Sequence, residues 1–242
     1  METLVTQIRE RYERTLEHIA KAGQASGRDP ESVRLVVVTK AQPLEVVQAA
    51  VEAGARLLGE NYPEESVSKI SFFSHESGVE WHMIGHVQSR KARLVIDHFD
   101  LLQSLDSLKL AKRLDRMALD ADRILPVMLE INVGGEESKY GWTVKSESDW
   151  SALYPVIDSI LELKNLQVCG LMTMPPLEED PEDERVYFRT LRLLRDHLAA
   201  RYPQADWREL SMGTSADYEV AVQEGATFVR IGTAIVGPRP DR

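Results

Sequence analysis

The feature that most constrains this 242-residue chain is an alternation of short apolar segments with helical ones, repeated eight times. The apolar segments are rich in Val, Leu and Ile, as is typical of buried parallel strands. The predicted strands are Leu35–Thr39, Arg56–Gly59, Trp81–Ile84, Leu101–Ser104, Ile124–Asn132, Leu166–Met172, Trp207–Ser211 and Thr227–Ile231. Eight β-then-α units without a linker or a change in composition favour a closed (β/α)8 TIM-type barrel over an open doubly wound sheet.

An amphipathic segment precedes the first predicted strand. Apolar residues recur along one of its helical faces: Leu4, Ile8, Tyr12, Leu16 and Ile19. The pattern ends in the glycine-containing stretch 23–27, which is typical of the end of a helix. We therefore expect an extra N-terminal helix within residues 1–27, the barrel over 34–237, and a single α/β domain over 1–242.

Composition narrows the class of protein. The net charge of −10 argues against a nucleic-acid partner, because such proteins carry a basic stripe. Cys169 is the single cysteine, so a disulfide framework is excluded and a reducing compartment is expected. No stretch approaches the ~20 apolar residues that span a bilayer. These features predict a cytoplasmic protein without a membrane partner.

A lysine directly follows the first predicted strand. Val36, Val37 and Val38 form its apolar run, Lys40 comes after Thr39, and a helix is predicted from just beyond Pro43. The lysine thus reaches the carboxyl edge of a strand, where α/β sheets and barrels hold their active sites. A lysine that simply extends past the strand into water is the alternative.

The last two predicted strands end in motifs that suit a phosphate. S-M-G-T-S brings the hydroxyls of Ser211 and Ser215 beside Gly213, and R-I-G-T brings Gly232 and Thr233 after the eighth strand. Glycines allow a ligand to approach backbone N–H groups, and barrel enzymes often bind phosphate in these loops. A Ser/Thr helix cap would explain the first motif alone, but the pair favours a phosphate site.

Barrel closure would make the phosphate motifs neighbours of Lys40, because strand eight then lies beside strand one. A lysine next to an anion site suggests a ligand that carries both a phosphate and a carbonyl. Pyridoxal 5′-phosphate (PLP) is the common cofactor of this kind and attaches to lysine as a Schiff base. A cofactor-free Schiff-base aldolase that binds a sugar phosphate is an alternative.

Six motifs occur in order across nearly the whole chain: V-V-V-T-K-A, G-E-N-Y, W-H-M-I-G-H-V-Q-S, E-E-S-K-Y-G, L-S-M-G-T-S-A-D and V-R-I-G-T-A-I-V-G. Together they resemble the pyridoxal phosphate homeostasis protein family, small relatives of the alanine racemase barrel domain. The resemblance implies a PLP-binding barrel with a lysine aldimine and without established turnover. Such a protein would hold the cofactor or deliver it to PLP-dependent apo-enzymes.

The resemblance also implies roles for individual residues. Lys40 would form the aldimine, and Arg230 would face the pyridine nitrogen, where its charge disfavours protonation of the ring. Pairing of Arg230 with the phosphate is the alternative. The phosphate would be held by four residues: Ser211, Ser215, Gly232 and Thr233. Three positions depart from the expected family pattern, Pro63, Arg90 and Thr214, and we expect them to lie away from the lysine and the phosphate.

Four other residues are weighed as site candidates. Asn61 is expected to hydrogen-bond the ring hydroxyl or to cap a helix, and His86 to lie beside the pocket. His82 is expected in the core. A zinc site at the two histidines is disfavoured, because W-H-M-I-G-H crosses a strand end and a third ligand is missing, so no metal is predicted. Cys169 is expected to be inert packing.

Two functions of different class follow from PLP binding. A racemase-like PLP enzyme would need a second base on the opposite face of the ring. In the racemase relatives a tyrosine from a separate C-terminal domain provides this base across a dimer. The chain ends at Arg242, shortly after the eighth predicted strand, so we expect no such domain. The sequence therefore favours a monomeric PLP carrier over an enzyme.

Overall fold

The structure, a computed structural model, describes residues 2–73 and 78–239. Its strands are β1 (Arg34–Val38), β2 (Leu57–Glu60), β3 (Glu80–Met83), β4 (Leu101–Leu105), β5 (Leu125–Asn132), β6 (Trp142–Thr143), β7 (Leu166–Met172), β8 (Glu209–Ser211) and β9 (Phe228–Ile231). All strand pairs except those of the short β6 lie in one parallel sheet, in the order β4-β3-β2-β1-β9-β8-β7-β5. A further pairing of β4 with β5 closes the barrel, so the predicted fold class is confirmed.

Helices surround the barrel. They are α1 (Glu2–Ala25), α2 (Leu44–Glu52), α3 (Pro63–Phe72), α4 (Ala92–His98), α5 (Leu108–Asp120), α6 (Trp150–Leu161), α7 (Arg185–Arg201), α8 (Tyr218–Gln223) and α9 (Thr233–Val236). The helix predicted after Pro43 is α2, and the expected N-terminal helix is α1, which packs against α2, α8 and α9. Within the described ranges, no helix is both long and apolar enough to cross a membrane.

Two elements differ from the sequence prediction. The short strand β6 was not predicted; it pairs with Ile131 and Asn132 because the loop after β5 turns back along the end of that strand. Strand β8 begins at Glu209 rather than at Trp207. The Trp207 indole is buried and donates to the Tyr202 carbonyl at 3.1 Å, so this residue packs beyond α7 instead of pairing in the sheet.

A small cluster of strand side chains packs separately from the main hydrophobic core: Val36, Leu101, Met128, Met172 and Phe228. The Arg34 guanidinium lies 3.9 Å from the centre of the Phe228 ring, and Arg34 also pairs with Glu209. These residues begin β1, β8 and β9, so the amino end of the barrel is packed and ion-paired. A functional site is therefore expected at the carboxyl ends of the strands, where polar side chains follow the apolar segments.

Candidate functional site

A cavity of about 800 Å³ opens at the carboxyl ends of the strands. This volume suits a small cofactor. Seven of the nine residues predicted from the sequence line it: Lys40, Asn61, His86, Ser215, Arg230, Gly232 and Thr233. The other two, Ser211 and Gly213, are buried behind its wall.

Lys40 lies in a tight turn that follows β1. The Thr39 N–H continues the sheet by donating to the Gly59 carbonyl at 3.0 Å, and Gln42 N–H donates back to Thr39 at 3.1 Å. Ala41 has a φ of 58°, a left-handed conformation that is uncommon outside glycine and marks a constrained turn. Burial lowers the pKa of the Lys40 amine. The charges of Arg239 and Arg230 lower it further, against an opposing effect of Glu60.

A buried ion pair supports this turn from below. Glu60 ends β2 and is fully buried. Its Oε1 accepts hydrogen bonds from Thr39 Oγ1 at 2.7 Å and from Lys69 Nζ at 2.8 Å. Lys69 Nζ also donates to the Thr39 carbonyl at 2.9 Å. Because both charges are paired and share Thr39, they fix the residue that precedes Lys40.

Arg230 is a buried cation in the cavity wall. Its guanidinium donates to Ser211 Oγ and to the Thr173 carbonyl, the latter at 2.8 Å, and contacts Met174 Sδ at 2.9 Å. Within the described residues it has no carboxylate in ion-pair contact. Burial lowers the pKa of Arg230 to about 10, while Asp217 and Glu130 act in the opposite direction. Arg230 is thus still charged at neutral pH, and the cavity presents a positive charge without a counter-ion.

Ser211 lies behind the cavity wall, next to Arg230. Its hydroxyl accepts from Arg230 and donates to Gln103 Oε1 at 2.6 Å. The Gln103 amide donates in turn to His82 Nδ1 at 2.9 Å, so His82 lies in the core as expected. The Ser211 hydroxyl therefore both donates and accepts within this row of buried side chains, and it supports Arg230 from behind.

Gly213 also serves the loop rather than the cavity. Its φ is 94°, and an added Cβ would lie 2.6 Å from the Ala221 Cβ of α8. Its carbonyl accepts from the Arg230 N–H at 3.0 Å. Asp217 then holds the loop, because its carboxylate accepts from both the N–H and the hydroxyl of Thr214. This tight turn brings Ser215 to the cavity.

Gly232 and Thr233 complete that side of the cavity. Gly232 follows β9 and packs against β1, where an added Cβ would lie 3.2 Å from the Val38 carbonyl oxygen. Thr233 begins the short helix α9 and is exposed toward the cavity. The pairing of β9 with β1 places both residues beside the Lys40 turn, as the barrel prediction required.

Asn61 and His86 line the cavity after the ends of β2 and β3. Asn61 Oδ1 is buried without a hydrogen-bond partner within the structure, so it is free to accept from a ligand. His86 Nδ1 lies 2.6 Å from Asp106 Oδ2, and its ring stacks on Tyr140 with centroids 3.6 Å apart. In the described part of the chain, no group of three His, Cys, Asp or Glu side chains is arranged to hold a metal ion.

Among the lining residues that sequence reasoning missed, three affect the charge or the geometry of the site: Glu130, Arg239 and Gln42. Glu130 lies inside β5, where the apolar pattern drew attention to the strand end instead; a lone acid within a barrel strand was the available signal. Arg239 follows α9 and acts on Lys40 electrostatically. Gln42 ties this segment down, because its amide donates to the carbonyls of Gly237 and Pro238 at 3.2 Å each.

The three residues that depart from the family pattern lie in different parts of the structure. Pro63 begins α3 and lines the cavity, and Thr214 lines it from the loop after β8. Both thus lie in the cavity wall, and the expectation that they contact neither Lys40 nor the phosphate stays a prediction. Arg90 instead hydrogen-bonds Gln88 at 3.0 Å on the surface.

Comparison with known proteins first defines the class. The model of the alanine racemase N-terminal domain family matches residues 13–240. Alanine racemase of Clostridium difficile 630 has the same fold, with a TM-score of 0.71 at 14% identity, over 98% of this chain and 58% of the racemase.

Sequence relatives then narrow the assignment. The pyridoxal phosphate homeostasis protein of Aquifex aeolicus is 41% identical over 95% of this chain and 97% of its own length. That of Escherichia coli K12 is 38% identical over 91% and 92%. PipY of Synechococcus elongatus, solved with PLP bound, has a TM-score of 0.79 at 33% identity, over 96% of this chain and 100% of PipY. The chain belongs to the pyridoxal phosphate homeostasis protein family, within the wider class of alanine racemase-like barrels.

Proposed function

We propose that this protein binds PLP in the cavity at the carboxyl end of the barrel, through a Schiff base with Lys40, and serves in PLP homeostasis as a carrier. The observation that carries the proposal is one cavity that holds a lysine of lowered pKa, a buried arginine without a counter-ion and exposed hydroxyls. The names of the relatives and PLP in the PipY structure support it.

The residues present fit this cofactor. The hydroxyls of Ser215 and Thr233 would hold a phosphate dianion through charge-assisted hydrogen bonds. The unpartnered Asn61 Oδ1, at the end of β2, offers an acceptor to the ring hydroxyl. The described contacts leave both proposed roles of Arg230 open, against the pyridine nitrogen or against the phosphate.

The environment of Lys40 prepares its amine. An unperturbed lysine has a pKa of about 10.4, so roughly one molecule in a thousand is neutral near pH 7. Burial and two nearby arginines shift this balance toward the neutral amine. PLP when bound supplies the aldehyde to which this amine attaches with loss of water. The buried Glu60–Lys69 pair holds the turn in place both when Lys40 is a free amine and when it is bonded to PLP.

The open mouth of the cavity favours a PLP carrier over a PLP-dependent enzyme. Four large apolar side chains line it and are substantially exposed: Tyr62, Tyr140, Met174 and Leu177. Enzymes usually exclude water from a reacting cofactor, whereas a carrier must let a receiving group approach.

The visible absorption spectrum tests the proposal. We expect a yellow purified protein, and loss of the band in Lys40→Ala but not in Lys91→Ala. Lys91 is the matched control, because it lines the same cavity and is paired with Glu64 at 2.5 Å. Borohydride reduction and peptide mapping should locate the pyridoxyl group on Lys40. A label on another lysine would contradict the assignment.

Carrier and enzyme are then separated on the same preparations. We expect the PLP-loaded protein to reactivate PLP-dependent apo-enzymes, and enantiomer analysis of alanine and serine to show no interconversion above that of free PLP. Interconversion well above that level, abolished by Lys40→Ala, would instead identify a racemase-like enzyme.

A further inference from the structure

One acidic side chain in the cavity is not explained by PLP binding. Glu130 lies on β5, two residues before the strand ends, and is the sole carboxylate among the described lining residues. The lining cations are Lys40, Lys91, Arg230 and Arg239. A phosphate accounts for positive charge in the wall, but it gives no reason for a negative one.

The Glu130 carboxylate is poorly compensated. Its Oε2 is buried and has no hydrogen-bond partner within the structure. The backbone cannot move to relieve this, because Glu130 is paired with Met172 of β7 and Gly141 packs on its carbonyl, where an added Cβ would lie 2.4 Å away. An unsatisfied buried carboxylate oxygen costs free energy until a donor or a cation reaches it.

Two charged groups face Glu130 from neighbouring elements. Asp106 follows β4 and is hydrogen-bonded to His86, and Arg230 lies on β9. Burial raises the pKa of Glu130 to about 7, Asp106 contributes to the rise, and Arg230 opposes it. Near neutral pH this carboxyl therefore takes up and releases a proton readily.

We propose that Glu130 binds the ammonium group of an entering primary amine and accepts its proton, so that the amine can take PLP from Lys40. The inference rests on the proposed function and names the ligand class of the same cavity: aliphatic primary amines, such as amino acids or a lysine side chain. Only the neutral form of an amine is a nucleophile. In water at pH 7, nearly all molecules of an aliphatic primary amine are protonated instead.

The transfer balances without another reactant. PLP bound to Lys40 would be joined to Nζ by a carbon–nitrogen double bond. A proton moves from the ammonium nitrogen to a Glu130 oxygen, and the freed electron pair forms a bond to that carbon, while one bond of the double bond breaks and passes its electron pair to Nζ. The entering nitrogen then gives two protons to Nζ and forms a second bond to the carbon, as the remaining bond to Nζ breaks and leaves its electron pair on Nζ. Lys40 is thus released as an amine, and Glu130 returns the first proton to solvent.

Rapid mixing of the PLP-loaded protein with two nucleophiles tests this role. Ethylamine is protonated near neutral pH, whereas O-methylhydroxylamine is already neutral and needs no base. The change in the visible band would be followed from pH 6 to 9. In Glu130→Gln we expect the ethylamine rate at pH 8 to fall at least about tenfold. The rate of the variant should rise steadily with the neutral fraction of ethylamine from pH 6 to 9, without the inflection near pH 7 that the titration of Glu130 gives the unmodified protein. O-methylhydroxylamine should react at an unchanged rate.

Matched variants exclude a structural effect. Glu64→Gln removes the same charge from a residue that pairs with Lys91 but does not line the cavity. This control variant should react with both nucleophiles at unchanged rates. Glu130→Asp should retain a pH-dependent ethylamine reaction with a shifted midpoint. In the PLP-free protein labelled with carboxyl-13C glutamate, one resonance should titrate near pH 7 and be missing from Glu130→Gln.

Each outcome bears on the inference. Equal loss with both nucleophiles, or identical pH profiles for Glu130→Gln and the unmodified protein, would overturn it and leave PLP binding intact. Absence of the near-neutral resonance would also overturn it. A colourless unmodified protein would overturn the proposed function itself, and this inference with it.

Discussion

The buried guanidinium of Arg230 is held, among the described residues, by neutral groups. The Ser211 hydroxyl and the Thr173 carbonyl orient it, yet neither carries a charge. A buried cation held in this way is strongly attracted to an anion in the cavity, since little water competes for it. The unpaired charge thus favours a phosphate-bearing ligand over its unphosphorylated analogue if the two meet directly.

Removal of the two cavity hydroxyls tests whether Ser215 and Thr233 contact the phosphate. Each charge-assisted hydrogen bond is worth about 1.5–3 kcal/mol, so the double change Ser215→Ala with Thr233→Ala should weaken PLP binding by about 3 kcal/mol or more. Pyridoxal, which lacks the phosphate, should bind as before. Equilibrium titration of both ligands measures this, and equal losses would show that the hydroxyls support the fold instead.

Ser211→Ala answers a different question, because Ser211 reaches the ligand only through Arg230. If Arg230 faces the pyridine nitrogen, the variant should bind PLP and pyridoxal more weakly by a similar factor. If Arg230 pairs with the phosphate, PLP alone should be affected. The same titrations distinguish these results, and unchanged binding of both ligands would contradict a supporting role.

The titration of Glu130 predicts a pH dependence of stability. Its folded pKa of about 7 lies above the ordinary value of 4.5. The folded state therefore binds more protons than the unfolded state between these values, and stability falls as pH rises through the window. Glu130→Gln removes this loss, so it should gain about 2 kcal/mol relative to the unmodified protein between pH 5 and 8. Urea denaturation of the PLP-free proteins measures the gain, and parallel pH profiles would contradict it.

At the scale of elements, the loop between β8 and α8 depends on close packing at a left-handed glycine. Gly213→Ala places a methyl group 2.6 Å from Ala221 at a φ of 94°. We expect a loss of about 2–4 kcal/mol in unfolding free energy from the clash and the strained backbone. Gly27→Ala is the control, because its φ is 73° but nothing lies within 4 Å of an added Cβ. Equal losses in thermal denaturation would show that packing against α8 is unimportant.

Elements were more predictable than side-chain directions. The strand ends were located within a residue or two, because apolar runs and glycines mark them, and Lys40 followed from its place after such a run. Ser211 and Gly213 lie behind the cavity wall, which the sequence could not indicate because a motif does not reveal which of its residues face a cavity. Glu130 was missed for a related reason: only the closed barrel shows that a residue within β5 reaches the same cavity as the strand ends.

At the scale of the whole molecule, charge is distributed unevenly. The chain carries a net charge of −10, while the cavity lining contains four cations and one carboxylate. Like-charged surfaces repel one another, so we expect the protein to remain a monomer at low ionic strength. Sedimentation velocity with and without PLP checks this, and a dimer in both states would contradict it.

The pairing of β1 with β9 joins parts of the chain that are nearly two hundred residues apart, Val36 with Arg230 for example. Contacts of such long sequence separation are costly to form early in folding. Lys40 leaves the ribosome long before Thr233. The site that contains the lysine and the phosphate-binding residues is therefore complete only when the barrel closes. Acquisition of the yellow colour would therefore report the last stage of folding, and a chain that captures PLP has already passed its slowest topological step.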